Sequence, residues 1–130
     1  MCGIYFQRLA PYRALICSIR EDGGAFQWIV KWPENVLAPI DGCGFGCVLT
    51  SIKMLRKMET PWFEWKKFSE DFTFCVNARK SGFQLYCDTS VLCGHLQDPK
   101  PATFDDFKEA NKDIYMEVNE DGAIRPGSAA

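Results

Sequence analysis

At 130 residues, with 47% hydrophobic and 14% aromatic side chains, the chain is long enough to bury one core and is expected to fold as a globular unit. Its net charge of −2, with lysines and arginines scattered along the sequence, excludes a basic surface for nucleic acid or an anionic membrane. No apolar run approaches the roughly 18 residues that span a bilayer, and the start at Met1 does not resemble a secretory signal. The predicted location is therefore cytoplasmic.

The seven cysteines are an odd number, and most of them have apolar neighbours in the sequence. A secreted disulfide framework uses an even number of cysteines, whereas free cysteines are commonly buried as small hydrophobic residues. We therefore expect reduced, buried thiols.

The first half of the chain predicts a β-hairpin, a glycine-rich loop and a helix. Residues 14–19 and 26–32 are β-rich runs, and Gly23-Gly24 between them supplies the positive φ values of a tight turn. The loop at 42–46 contains three glycines, and apolar residues then recur at helical spacing over about 47–58. One face of this predicted helix carries Val48, Ile52, Leu55 and Met58.

A second helix and a strand are predicted next. Pro61 ends the first helix, because proline disfavours helical geometry in the residue before it. Ser69 has the position of an N-cap, with Glu70 and Asp71 in the first turn. Lys80-Ser81-Gly82 has the basic residue and glycine of a C-terminus. Alternation then predicts a strand whose buried face carries Phe83, Leu85 and Cys87.

The composition becomes polar after Pro99. Thr103 and Asp106 have the spacing of a capping box, which predicts a short helix near 104–111, and residues 114–118 predict an edge strand. The predicted organisation is a partial domain over 1–98, an extension over 99–121 and a flexible tail over 122–130.

The acidic pair Glu70-Asp71 and the single histidine, His95, are the candidate chemistry. The pair either complements a helix N-terminus or supplies a general base, and Asp71 is then the inward-facing member. His95 is either a hydrogen-bonded structural residue or a ligand for Mn²⁺ or Zn²⁺, with Asp88 near it in sequence. A small zinc-stabilised domain is a further alternative. Its ligands would come from Cys43, Cys47, Cys87 or Cys93, and His95.

The glycine loop and an aromatic segment are open to two interpretations each. Backbone N–H groups of the loop could bind a diphosphate, although glycine loops also simply turn corners. Trp62, Phe63 and Trp65 could stack on a sugar ring or pack as core or lid residues.

Several of these segments stand in a specific order and spacing. They are Gly42-x-Gly44-Phe45-Gly46-Cys47-Val48-Leu49, Pro61-Trp62-Phe63, Ser69-Glu70-Asp71-Phe72-x-Phe74-Cys75-x-x-Ala78-Arg79-x-x-Gly82-Phe83-x-Leu85-Tyr86-x-Asp88, and Cys93-Gly94-His95. The series resembles the second half of an inverting nucleotide-sugar glycosyltransferase of the A-type fold. The resemblance covers roughly Gly3 to His95, because Gly3-x-Tyr5-Phe6-x-Arg8-x-x-Pro11-Tyr12 resembles the strand and loop after that family's metal motif.

The resemblance implies an α/β fold with a mixed sheet and flanking helices. It also implies transfer of a sugar from a nucleotide-diphospho-sugar to a hydroxyl of a glycan or other acceptor. Asp71, with Glu70, would be the base or acceptor binder, and His95 would be a ligand of Mn²⁺ or Mg²⁺. The residues implied for the donor-sugar pocket are Gly42, Gly44, Phe45 and Gly46. Trp62 and Phe63 would border the acceptor.

The sequence departs from the family in one respect. The family's N-terminal donor-binding half, with its Asp-x-Asp motif, has no counterpart in these 130 residues, and Asp105-Asp106 is adjacent rather than alternate. We therefore expect a truncated or split enzyme that is inactive alone and pairs with itself or with a separate donor-binding chain. The alternative is a non-catalytic module for glycan binding or assembly.

Overall fold

The computed structural model describes residues 1–20 and 25–113. Within them the chain is an α/β protein with two three-stranded sheets and three short helices. The strands are β1 (Cys2–Ile4), β2 (Ile16–Ile19), β3 (Phe26–Trp28), β4 (Leu37–Ile40), β5 (Gly42–Cys43) and β6 (Leu85–Leu92). The helices are α1 (Ile52–Lys57), α2 (Glu70–Lys80) and α3 (Phe104–Ala110).

The first sheet is mixed and has β6 at its centre. β6 runs parallel to β1 and antiparallel to β4. Leu85, Cys87 and Thr89 are buried, whereas Tyr86 between them is exposed. The strand alternation predicted from the sequence is therefore confirmed, because successive side chains of a strand point to opposite faces.

The second sheet is antiparallel, with β2 between β3 and β5. The predicted hairpin is confirmed by the β2–β3 pairing, and its turn at 21–24 lies outside the described residues. Asp41, next to β5, accepts a hydrogen bond from the Ile19 N–H at 2.6 Å and forms a salt bridge with Arg79 at 3.0 Å. This carboxylate therefore fastens α2 to the second sheet.

Aromatic packing joins α3 to the N-terminal segment. The rings of Phe6 and Trp32 lie 5.6 and 5.4 Å from the ring of Phe107, and Phe6 and Phe107 are fully buried. The predicted capping box of Thr103 and Asp106 is confirmed in both directions. α3 therefore packs on the same core as β1.

The first predicted helix is wrong over its first half. The helix begins at Ile52, and the preceding segment instead pairs with β1, where Gly3 N–H donates to Cys47 O and Leu49 N–H to Met1 O. The free edge of β1 carries backbone N–H and C=O groups that need hydrogen-bond partners. Pairing with this segment supplies those partners to both strands. Of the predicted helix face, Met58 is buried and Leu55 packs against the core, whereas Ile52 is 66% exposed and Met54 is buried in addition.

The second predicted helix is confirmed at both ends, with one correction. Ser69 is at the N-cap of α2, but its side chain makes no capping hydrogen bond. Gly82 has a φ of 86° just past the C-terminus, as expected of a terminating glycine. The predicted edge strand at 114–118 and the tail at 122–130 lie outside the described residues. Within 1–20 and 25–113, no helix is long and apolar enough to cross a membrane.

Candidate functional site

Tyr5 is the residue around which the candidate site is built. It follows β1 directly and is 9% exposed. Its ring and hydroxyl lie against the backbone of Gly44 and Gly46, and a Cβ on Gly46 would stand 2.7 Å from the ring. The glycines of the loop were predicted to permit a close approach to the backbone. At Gly44 and Gly46 the group that approaches is the Tyr5 side chain of the same chain.

Asp71 lies beside this loop, in the first turn of α2. Its Oδ2 accepts a hydrogen bond from the Phe45 N–H at 3.1 Å. Burial raises the pKa of the Asp71 carboxyl, the Phe45 N–H partly opposes this, and the charge of Glu70 adds to it. Glu70 itself is exposed. A partly buried carboxylate with a raised pKa is the state expected of a general base.

The charge of Asp71 also affects the pKa of Tyr5. Burial raises the pKa of the Tyr5 hydroxyl, a hydrogen bond with the Gly46 backbone opposes the rise, and the Asp71 carboxylate adds to it. The glycine loop, the tyrosine and the carboxylate therefore form one electrostatically connected group.

His95 contacts the same tyrosine. Its ring meets the Tyr5 ring edge-on, with the centroids 5.2 Å apart. Backbone hydrogen bonds with Ala102 in both directions, at 2.8 and 2.9 Å, hold the residue in place. Its Nδ1 lies 2.7 Å from the Phe6 carbonyl oxygen. Since a carbonyl only accepts, Nδ1 carries the proton in the neutral ring and Nε2 keeps its lone pair.

The donor set at this position does not fit a divalent ion by itself. A protein site for such an ion normally offers several oxygen or nitrogen ligands, and here the His95 imidazole supplies one. Within the described ranges, no group of three or more His, Cys, Asp or Glu side chains is placed to hold a metal.

The two aromatic residues predicted to border an acceptor are placed differently, and only Phe63 is seen to pack against the loop. Phe63 lies 5.1 Å from the Phe45 ring and 4.8 Å from the Phe74 ring, yet remains 47% exposed. Trp62 is half-buried against the core, and its Nε1 is buried without a hydrogen-bond partner in the part of the chain described. Gly42, also predicted at the site, is buried inside β5.

An apolar cavity of about 470 Å³ is lined in part by Phe45. Cys43, Met54 and Phe74 are among its lining residues, whereas Asp71 and His95 are not. The cavity and the candidate site therefore share the Phe45 side chain and are otherwise separate.

The cysteines divide into two groups. All seven are free thiols, of which five are buried and two, Cys47 and Cys93, are partly exposed. Contacts with neighbouring thiols, Cys2 for Cys43 and Cys43 for Cys75, together with burial, raise the pKa of Cys43 and Cys75, which keeps them protonated. The expectation of buried cysteines is confirmed for these five.

No family model, curated protein or solved structure matches this chain. The residue that sequence reasoning did not select as a site residue is Tyr5. The signal for it was the glycine spacing at 44 and 46, which required a close neighbour whose identity only the fold reveals.

Proposed function

We propose that this chain is the acceptor side of a glycosyltransferase that uses a nucleotide-diphospho-sugar. The observation that supports the proposal is the meeting of three separate segments: the loop at 44–46 and His95 after β6 both contact Tyr5, and Asp71 on α2 accepts a hydrogen bond from the same loop. These segments are the ones that give the sequence its resemblance to that class.

Asp71 is proposed to bind the acceptor hydroxyl and accept its proton. Its Oδ2 is held by the Phe45 N–H, and within the described residues its Oδ1 has no hydrogen-bond partner. A positioned carboxylate of raised proton affinity removes a proton as the acceptor oxygen forms its bond to the anomeric carbon. The carbon–oxygen bond to the diphosphate breaks at the same time, and the diphosphate leaves.

A separate donor-binding part is proposed to stabilise the departing diphosphate. Within the described residues, no group of three or more His, Cys, Asp or Glu side chains is placed to hold the metal ion that would stabilise this charge, so a separate part is proposed to supply it. Loss of such stabilisation typically costs on the order of a hundredfold or more in rate. We therefore expect the isolated chain to bind saccharide without appreciable glycosyl transfer.

The test measures binding and transfer together. The purified chain is titrated with oligosaccharides and nucleotide sugars by calorimetry, with Mn²⁺ or Mg²⁺ present, and turnover is followed by release of the nucleoside diphosphate. We expect saccharide binding that Asp71→Asn weakens about tenfold and that Asp105→Asn, an exposed first-turn carboxylate of α3, leaves unchanged, since loss of a charge-assisted hydrogen bond removes about 1.5 kcal/mol or more. Absence of any carbohydrate binding overturns the proposal. Binding that Asp71→Asn does not affect favours a non-catalytic glycan-binding module instead.

A further inference from the structure

We propose that the apolar cavity lined in part by Phe45 is a binding site for a small, uncharged aromatic molecule, a function independent of the proposed glycosyl transfer. Its volume of about 470 Å³ lies within the roughly 300–1,000 Å³ that is typical of ligand sites. Water gains few hydrogen bonds from an apolar lining, and apolar cavities in proteins bind apolar molecules instead. An apolar ligand is therefore the occupant that this cavity favours.

The lining runs from a buried floor to an exposed rim. The buried residues of the lining are Cys2, Cys43, Met54, Phe74, Cys75 and Leu85. Exposed residues such as Leu49, Ser51 and Tyr86 complete it. A ligand therefore enters past the exposed residues and places its apolar part against the buried ones.

The lining is electrically neutral in the part of the chain that the structure describes. None of its side chains is a lysine, arginine, aspartate, glutamate or histidine. Contacts with neighbouring thiols, together with burial, raise the pKa of Cys43 and Cys75, so both are neutral thiols. An ionic group inside the cavity would lose its hydration and gain no opposite charge. The ligand is therefore uncharged.

Sulfur atoms and phenyl rings line the same cavity. The sulfur atoms belong to Cys2, Cys43, Met54 and Cys75, and the rings to Phe45, Phe74 and Phe83. A sulfur atom contacts an aromatic ring favourably, and two rings attract each other edge to face, both in addition to the gain from burial. A saturated ring of the same size gains from burial alone. The lining therefore favours an aromatic ligand.

Hydroxyl groups supply the polar part of the lining. They belong to Thr50 and Ser51, and the Ser51 side chain makes no capping hydrogen bond to α1. The Gln84 amide nitrogen is already used, since it donates to Ile40 O and Leu85 O. One hydroxyl on the ligand can bond to Ser51 at the exposed rim while the ring stays inside. An aromatic alcohol such as 2-naphthol has this combination of groups.

NMR of the full chain with ¹³C-labelled methionine methyl groups tests the proposal. 2-Naphthol is titrated in at about pH 7, where it is neutral, and the signals are assigned with Met54→Leu and Met58→Leu. Met54 lines the cavity, whereas Met58 is buried outside the lining. We expect saturable binding at one site, with nuclear Overhauser effects from the naphthol ring to the Met54 methyl group and none to that of Met58.

Two further ligands separate the ring type from the charge. Decahydro-2-naphthol, the saturated analogue, should bind about threefold more weakly or worse, because it loses the sulfur–ring and ring–ring contacts. 2-Naphthoate should bind about tenfold more weakly than 2-naphthol, because no side chain of the lining offers its carboxylate an opposite charge.

Two variants of the chain supply the matched control. Phe83→Leu removes a ring from the lining and should weaken the binding of 2-naphthol about threefold. Phe68→Leu replaces a ring that is also half-buried but lies outside the lining, and should leave the binding unchanged.

The proposal is overturned if Met54 makes no contact with 2-naphthol at the solubility limit of the ligand, or if Met54 and Met58 contact it alike. It is also overturned if either control ligand binds as tightly as 2-naphthol. The Overhauser effects in the native chain decide the matter even if a variant does not fold.

Discussion

Replacement of the Asp71 carboxylate by its neutral isostere separates a site residue from a structural one. In Asp71→Asn the amide oxygen can still accept from the Phe45 N–H, which lies 3.1 Å from Oδ2 in the native protein. In Asp71→Ala that acceptor is lost. The two variants therefore differ by one hydrogen bond, whereas each removes the charge.

The expected changes in the free energy of unfolding follow from this geometry and from the direction in which the pKa of Asp71 is shifted. A raised pKa means that the fold, on balance, disfavours the ionised carboxylate. Asp71→Asn should therefore change the free energy of unfolding by less than about 0.5 kcal/mol at pH 7, or increase it. Asp71→Ala leaves a partly buried donor without its partner and should cost about 1 to 2 kcal/mol. For a domain of this size, that is a fall in Tm of about 4 to 8 °C.

The pH dependence has a defined sign. The carboxyl titrates above its ordinary value of 3.8 in the folded state, so its stabilisation relative to Asp71→Asn is fully present below 3.8. That stabilisation is lost as the pH rises through the folded pKa.

These differences are measured by thermal and urea unfolding at several pH values from 3 to 7. The proteins compared are the native chain, both Asp71 variants and the exposed control Glu70→Gln. The reasoning is refuted if Asp71→Asn costs as much as Asp71→Ala and the native chain gains stability over it with rising pH. The carboxylate would then be a structural clamp on the glycine loop.

Three further substitutions test the packing and capping that surround the site. In Gly44→Ala the new methyl group would clash with the Tyr5 hydroxyl, so the variant should lose about 1 to 3 kcal/mol in urea unfolding. In the control Gly94→Ala the nearest atom to the new methyl group is 3.4 Å away, so the loss should be less than about 1 kcal/mol. Thr103→Ala removes a capping box and should lower Tm by about 4 °C, whereas Ser69→Ala, with no capping hydrogen bond to lose, should have little effect. Lys100 and the Thr103 cap lower the pKa of the Asp106 carboxyl to about 2. The ionised carboxylate therefore stabilises the folded state above pH 3.8, and this contribution is lost as the pH falls towards 2. Asp106→Asn should therefore flatten the acid limb of the stability curve.

The elements predicted correctly from the sequence are those in which the apolar periodicity and the capping residues indicate the same bounds. α2 and α3 have acidic first turns and defined ends, and β6 alternates between a buried and an exposed face. In each case the local preference and the tertiary packing favour the same structure.

Tertiary pairing explains where the sequence misled. Val48 and its neighbours have helical spacing with the residues that follow, but the edge of β1 engages them through backbone hydrogen bonds instead. The period of an apolar pattern cannot show that an unpaired strand edge lies nearby. Ser69 likewise has the residue type and position of a cap, yet its side chain does not make the bond.

Part of the candidate site could be selected from the sequence, but its arrangement could not. Asp71 and His95 could be selected by residue type and by the resemblance to glycosyltransferases. Their common neighbour, Tyr5, could not, because it is brought to them by the pairing of β1 with β6.

The measurement that tests the central claim most directly is an NMR titration of the ¹⁵N-labelled chain with nucleotide-diphospho-sugars and oligosaccharides, in the presence of Mg²⁺. If the glycine loop, Asp71 and His95 form one sugar-binding site, the amide signals of Phe45, Gly46 and His95 should shift together with one binding curve, and Asp71→Asn should weaken all three alike. The account is contradicted if these signals stay fixed at millimolar ligand, or if the shifts are confined to residues of the apolar cavity such as Met54.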